Sequence, residues 1–198
     1  MACLTAEAQR TPLLVLEKGR PAAVPFFEAV AALGPGDVFV KGANAVDPAG
    51  RAGILAGNPG GGTIGRSKPY LVSSGAALIL PIGLEKMIPS VPDAAAFTVW
   101  EEIDAAIGCK TNLLPIDIPG QKVITEIEAL AILTGVKAKM LGAGGIGGSE
   151  GAVTLGVIGE PKQVRAALDL VKSIKGEPAA GGLRQACSEC EEPCDMVR

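Results

Sequence analysis

Between Lys41 and Thr63 the chain gathers the residue types that hold a small anion. Lys41 brings an ammonium, Asn44 an amide, Asp47 a carboxylate and Thr63 a hydroxyl. Gly42 and the run Gly60-Gly61-Gly62 add backbone with no side chain in front of it. Successive backbone N–H groups left open in this way form an anion-binding concavity. Nine of the 27 glycines fall between Gly36 and Gly65. Glycine costs backbone entropy, so such a density calls for positive φ or close approach by another group. A flexible surface turn is the plainer reading of Gly57 to Thr63. The site reading is favoured because Lys41, Asn44 and Asp47 all follow one apolar run, Val38-Phe39-Val40. The stretch is not a phosphate loop of the Gly-x-x-x-x-Gly-Lys kind, since Thr63 follows Gly62 with no lysine between them.

A second pair of charges, Glu85 and Lys86, follows the apolar run Ala76 to Leu80. It reaches the same crevice if the two runs are neighbouring strands, and it is equally well a solvated turn. On the site reading, Asp47 or Glu85 is the general base and Lys86 stabilises developing negative charge. Gly142, Gly144 and Gly147 spell Gly-x-Gly-x-x-Gly, but Ser149-Glu150-Gly151 and a strand-like run come next where the dinucleotide fingerprint requires a helix. That run reads as a glycine loop. Glu101 and Glu102 are adjacent on a helical stretch, so they diverge and form a solvated face. Near the C-terminus, Cys187, Cys190 and Cys194 form C-x2-C-x3-C. Thiolates at that spacing suit zinc or an iron–sulfur cluster, with Cys3 or Cys109 as a fourth ligand or the fourth position left open. The alternative is a reduced, unligated tail.

Composition removes several function classes. The chain of 198 residues has no histidine, which excludes histidine triads, bases and metal ligands. A net charge of −3, no basic run and 3% aromatics argue against a nucleic-acid partner. The most apolar run, Ala76 to Gly83, is too short to span a bilayer. The N-terminus lacks the basic and apolar regions of a signal peptide. A cytoplasmic protein is expected, with no membrane partner, whose five cysteines serve metal or thiol chemistry. Further copies of the chain, in a homo-oligomer, are compatible with this reading.

The elements that must position these residues read as α/β. Leu13 to Leu16 is a short strand, and Pro21 suits the first turn of a helix that Gly34-Pro35 ends. Val38-Phe39-Val40 and Ala76 to Leu80 are buried strands, with a short helix over Ser67 to Ser74 between them. Pro89 and Pro92 bound a turn, and a helix over Asp93 to Ile107 follows. Strand and helix alternating in this way imply a parallel sheet over 12–107. Residues 108–122 read as a connection. Thr125 and Glu128 have capping-box spacing, and Gly135 stands where a helix would end. Val136 to Leu141, Ala152 to Ile158 and a helix from Pro161 complete a smaller α/β half. The divisions expected are 1–108, 109–176, and a linker with a Cys-rich tail over 177–198.

The wording from Val38 to Gly50, strand then Gly42-Ala43-Asn44-Ala45-Val46-Asp47, resembles a pattern in one superfamily. It is that of sugar-phosphate isomerases, glucosamine-phosphate deaminases and CoA transferases. Gly83-Leu84-Glu85-Lys86-Met87-Ile88-Pro89 is similar to a stretch of its lactate-utilisation-type members. The resemblance covers the first half of the chain. It implies a Rossmann-like, mostly parallel sheet and a phosphorylated or CoA-linked small metabolite as partner. It points to Gly42, Asn44, Asp47, Glu85 and Lys86, in an isomerase or transferase. The alternative is a non-catalytic metal- or iron–sulfur-binding accessory protein built on the C-terminal cysteines.

Overall fold

The computed structural model describes residues 13–97 and 99–178. A hairpin, β1 (Leu16–Glu17) and β2 (Arg20–Pro21), leads into α1 (Phe26–Ala31). Then come β3 (Val38–Val40), β4 (Ala45–Val46), β5 (Ala52–Ala56), α2 (Gly62–Ser74) and β6 (Ala77–Pro81). Next are α3 (Val91–Phe97), β7 (Asn112–Ile116), β8 (Lys122–Ile124) and α4 (Glu126–Thr134), with 3₁₀ turns at Leu84–Lys86 and Trp100–Glu102. The last elements are β9 (Lys137–Ala143), β10 (Val153–Ile158) and α5 (Pro161–Ile174). The fold is mixed α/β, and no described helix is long and apolar enough to cross a membrane.

Three strands form a parallel sheet in the order β3-β6-β8. Leu78 and Leu80 of its central strand are fully buried. The strand expected over Val38–Val40 is there, but it is an edge. Only Phe39 is buried, while Val38 and Val40 remain 52% and 62% exposed. The helix before β6 is longer than the spacing predicts, because it starts at Gly62 and takes in the end of the glycine run. Its Ile64, Ser67 and Leu71 face inward at helical spacing. Arg66 of α2 lies over the Phe27 ring at 3.5 Å, which seats α2 against α1.

An antiparallel sheet, β4-β5-β7, is not foreseen in the sequence. The segment read as a glycine loop contains β5, and the segment read as a connection contains β7. Pro115 disguises β7, since proline cannot donate to a ladder and is confined to edge strands. β7 is such an edge, and Pro115 lies opposite Gly53. A side chain at Gly53 would collide with Leu113, so glycine lets the two strands close. β7 and β8 thus pair with β5 and β6. One core, including Phe39, Ile54, Leu80 and Ile116, lies between the sheets and α2.

Three further expectations are corrected. Pro21 lies in a strand rather than a helix, because Lys18 and Gly19 both take positive φ and close a two-residue hairpin. The helix over Asp93–Ile107 shrinks to Val91–Phe97. Its later apolar residues face no core, with Phe97 87% and Ile107 74% exposed. Leu13 and Leu14 lie outside any strand. The second half follows its sequence signals closely. Ile127 N–H donates to Thr125 Oγ1 at 3.2 Å and Thr125 N–H to Glu128 Oε2 at 2.8 Å, and Gly135 ends α4. There α4, α5 and the β9–β10 pair close a separate small core on Leu130, Val136 and Ala167.

Candidate functional site

In open parallel sheets, ligands bind beyond the carboxyl ends of the strands. Here β3 runs out into Lys41–Asn44, β6 into Ile82–Lys86, and β8 into Thr125 and Glu126. Lys41 keeps its backbone in the sheet through an N–H bond to Ile79 O at 3.0 Å. Its side chain is half-buried, with Nζ donating to the Gly42 carbonyl at 3.2 Å. Burial pushes the Lys41 ammonium below its ordinary pKa. Among the described residues, no carboxylate lies at ion-pair distance from it. Lys41 and Thr63 line one cavity of about 430 Å³, so two residues predicted for the ligand do come together. The rest of that cavity is mostly apolar, walled by Leu13 to Leu16, α1 and β3.

The glycine run is built differently from the cradle expected of it. Asn58 gathers it: Gly61 N–H donates to Asn58 O at 3.1 Å and Gly62 N–H to Asn58 Oδ1 at 3.2 Å. Two of the amides meant for an anion are therefore used inside the loop. Gly61 has φ 71°, and a Cβ there would press on Gly65 Cα at 3.1 Å and Leu114 Cδ2 at 3.3 Å. A side chain on Gly65 would overlap the Gly60 carbonyl. The close approach that demands glycine at these positions is made by the protein itself. The amides of Thr63 and Ile64 follow in the first turn of α2, where a helix offers them no carbonyl four residues back.

Asp47, read in the sequence as a candidate base, is bonded into the fold. It is 1% exposed. Its Oδ1 accepts from Ala49 N at 3.0 Å and Arg51 N at 3.1 Å, and its Oδ2 from Arg51 Nε at 2.7 Å and Val91 N at 3.0 Å. Four donors fill the four acceptor sites of a carboxylate, leaving none for a substrate proton. Burial alone would raise this carboxyl. The Val91 and Arg51 backbone bonds and the Arg51 guanidinium outweigh burial and hold it below the usual range. Asp47 thereby closes the β4–β5 turn and anchors the start of α3. Asn44 has a similar part, accepting Leu55 N–H on Oδ1 at 3.0 Å and so fastening β5. Gly42 is exposed, with open space where a Cβ would stand.

Glu85 and Lys86 pair with each other at 3.6 Å, both substantially exposed. They sit beside a second cavity, of about 640 Å³, whose wall includes Asp47, Leu84, Met87, Thr125 and Glu128. Neither belongs to the wall of the Lys41 cavity. Leu84 N–H donates to Glu126 Oε2 at 2.9 Å, which ties this turn to α4. Asn58, Arg51 and Glu126 went unnoticed in the sequence. Asn58, three residues before the helix-capping Gly61, carried the one local signal, a residue type that folds its own backbone into turns. Cys187, Cys190, Cys194 and Cys3 lie outside the described residues, and Cys109 is buried. Among the described residues, no group of three or more histidine, cysteine or acidic side chains is placed to hold a metal. No protein-family model, curated protein or solved structure matches the chain.

Proposed function

We propose that the chain binds a small phosphorylated or CoA-linked metabolite, with its anionic group seated at Lys41 and Thr63 beside the first turn of α2. The observation that carries this reading is Lys41 itself. Lys41 is held half-buried on a cavity wall, its Nζ bonded to the Gly42 carbonyl alone and with no carboxylate partner among the described residues, which suits it to an incoming anion. The Thr63 hydroxyl can donate to the same group, and the helix start adds a favourable dipole. The resemblance to sugar-phosphate isomerases and CoA transferases supports the choice of anion. Binding is favoured over turnover. Asp47 is fully committed, and Glu85 and Lys86 are not on this cavity.

Calorimetric titration with a sugar phosphate and with coenzyme A tests the reading, comparing the native chain with Lys41→Gln. A charged hydrogen bond contributes about 1.5–3 kcal/mol, so the variant is expected to bind roughly tenfold or more weakly. Equal affinities in the two proteins would remove Lys41 from the site.

A further inference from the structure

The geometry points to a ligand with two parts, an anionic head at Lys41 and a single apolar chain lying along the free edge of β3. This inference rests on the proposed anion site and adds the chemical class of what the anion carries. The cavity that holds Lys41 and Thr63 extends along β3 as far as Asp37. The four steps from Asp37 to Lys41, at about 3.3 Å each, make that path roughly 13 Å. Apart from Asp37, Lys41 and Thr63 its wall is apolar, and several of those apolar residues are left uncovered by the described residues. Leu14 is 67% exposed, and Leu16, Val38 and Val40 are each more than half exposed. Single exposed apolar side chains are ordinary, but several along one concave path mark a binding surface. A purely polar metabolite would leave that path wet. A chain laid along it covers these side chains while its head reaches Lys41.

Charge fixes the orientation. Asp37 stands at the far end, exposed, its carboxylate accepting Gly34 N–H at 2.9 Å. A cation at one end and a carboxylate at the other admit an anionic head only at the Lys41 end. A free alkyl phosphate or fatty acid has this chemistry, and so does a lipid in a bilayer. The cavity is of about 430 Å³ and lies between one short strand, one helix and Leu13 to Leu16. That size favours the free, single-chain molecule.

The test is calorimetry of the full chain with alkyl phosphates from methyl to dodecyl, each below its micelle concentration. Each added methylene is expected to tighten binding about fourfold, the equivalent of ~0.8 kcal/mol per buried methylene, until the cavity is full. Lys41→Gln should weaken every member alike. Ala29→Trp, which fills the wall between α1 and β3, should bring the plateau to a shorter chain. If that variant does not fold, Leu14→Ser, at an exposed position, should lessen the gain per methylene. Affinity that depends on Lys41 but not on chain length would overturn the two-part ligand and leave the anion site standing. Failure of every member, methyl phosphate included, would overturn both. Binding to phosphatidylglycerol vesicles with none to the monomeric series would also overturn the proposal.

Discussion

Asp47 shows how a residue type can be read correctly for importance and wrongly for chemistry. A carboxylate after a strand, next to glycines, has the look of a base. In the structure it is the most heavily bonded side chain of the region, and each bond goes to its own fold. Its folded pKa is lowered, so it contributes stability that is fully present above the unfolded value of about 3.9 and is lost as pH falls through the folded value. Asp47→Asn is expected to lower stability by about 2 kcal/mol at neutral pH, since an amide nitrogen in place of Oδ2 leaves the buried Val91 N–H without its acceptor, while Arg51 is half exposed and can turn to water. The variant should also show a flatter loss of stability below about pH 4. Denaturant unfolding at both pH values checks this, and a loss under about 0.5 kcal/mol, the usual range for surface changes, would return Asp47 to the candidates for catalysis. Lys41 has the opposite sign. Folding disfavours its charged form, so Lys41→Gln should not lower the melting temperature even as it weakens the ligand.

At the scale of elements, the glycines after Pro59 serve the start of α2. The sequence shows that glycine is needed there, but not whether the close approach comes from a ligand or from the chain. Gly61 and Gly65 answer that, because the atoms pressing on them are Gly65, Leu114 and Gly60. Gly61→Ala and Gly65→Ala are therefore expected to cost stability before they cost binding. For Gly61 the strain of φ 71° alone is worth about 1 kcal/mol, and Gly65→Ala should cost more because the Gly60 carbonyl must move. Melting curves alongside phosphate titrations separate the effects. A Gly65→Ala protein that melts normally but no longer binds would restore the glycine cradle. Local signals with a mechanism were legible at this scale. The capping box at Thr125 and Glu128, Gly135, and Pro161 at the start of α5 each mark an element boundary that the structure keeps.

Across the whole molecule, the parallel pairing of β3 with β6 was legible because two apolar runs flank a helix. The third strand, β8, and the antiparallel sheet were not. β4 and β8 are of two and three residues, β5 is Ala52-Gly53-Ile54-Leu55-Ala56, and β7 contains a proline. Such strands are fixed by burial against partners distant in sequence, as Ile54 and Ile116 are in the shared core, and propensity does not show it. For the same reason Lys41 and Thr63 could be named separately in the sequence, but only the core that Ile64 and Leu71 of α2 share with Phe39 of β3 brings them to one cavity. The most direct measurement is the NMR titration of the Lys41 side-chain nitrogen against pH, with and without saturating methyl phosphate. The expected result is an ammonium that titrates below the ordinary lysine range in the free protein and moves upward when the phosphate binds. A Lys41 pKa that is the same in both samples, with phosphate shown to be bound, would contradict the anion site.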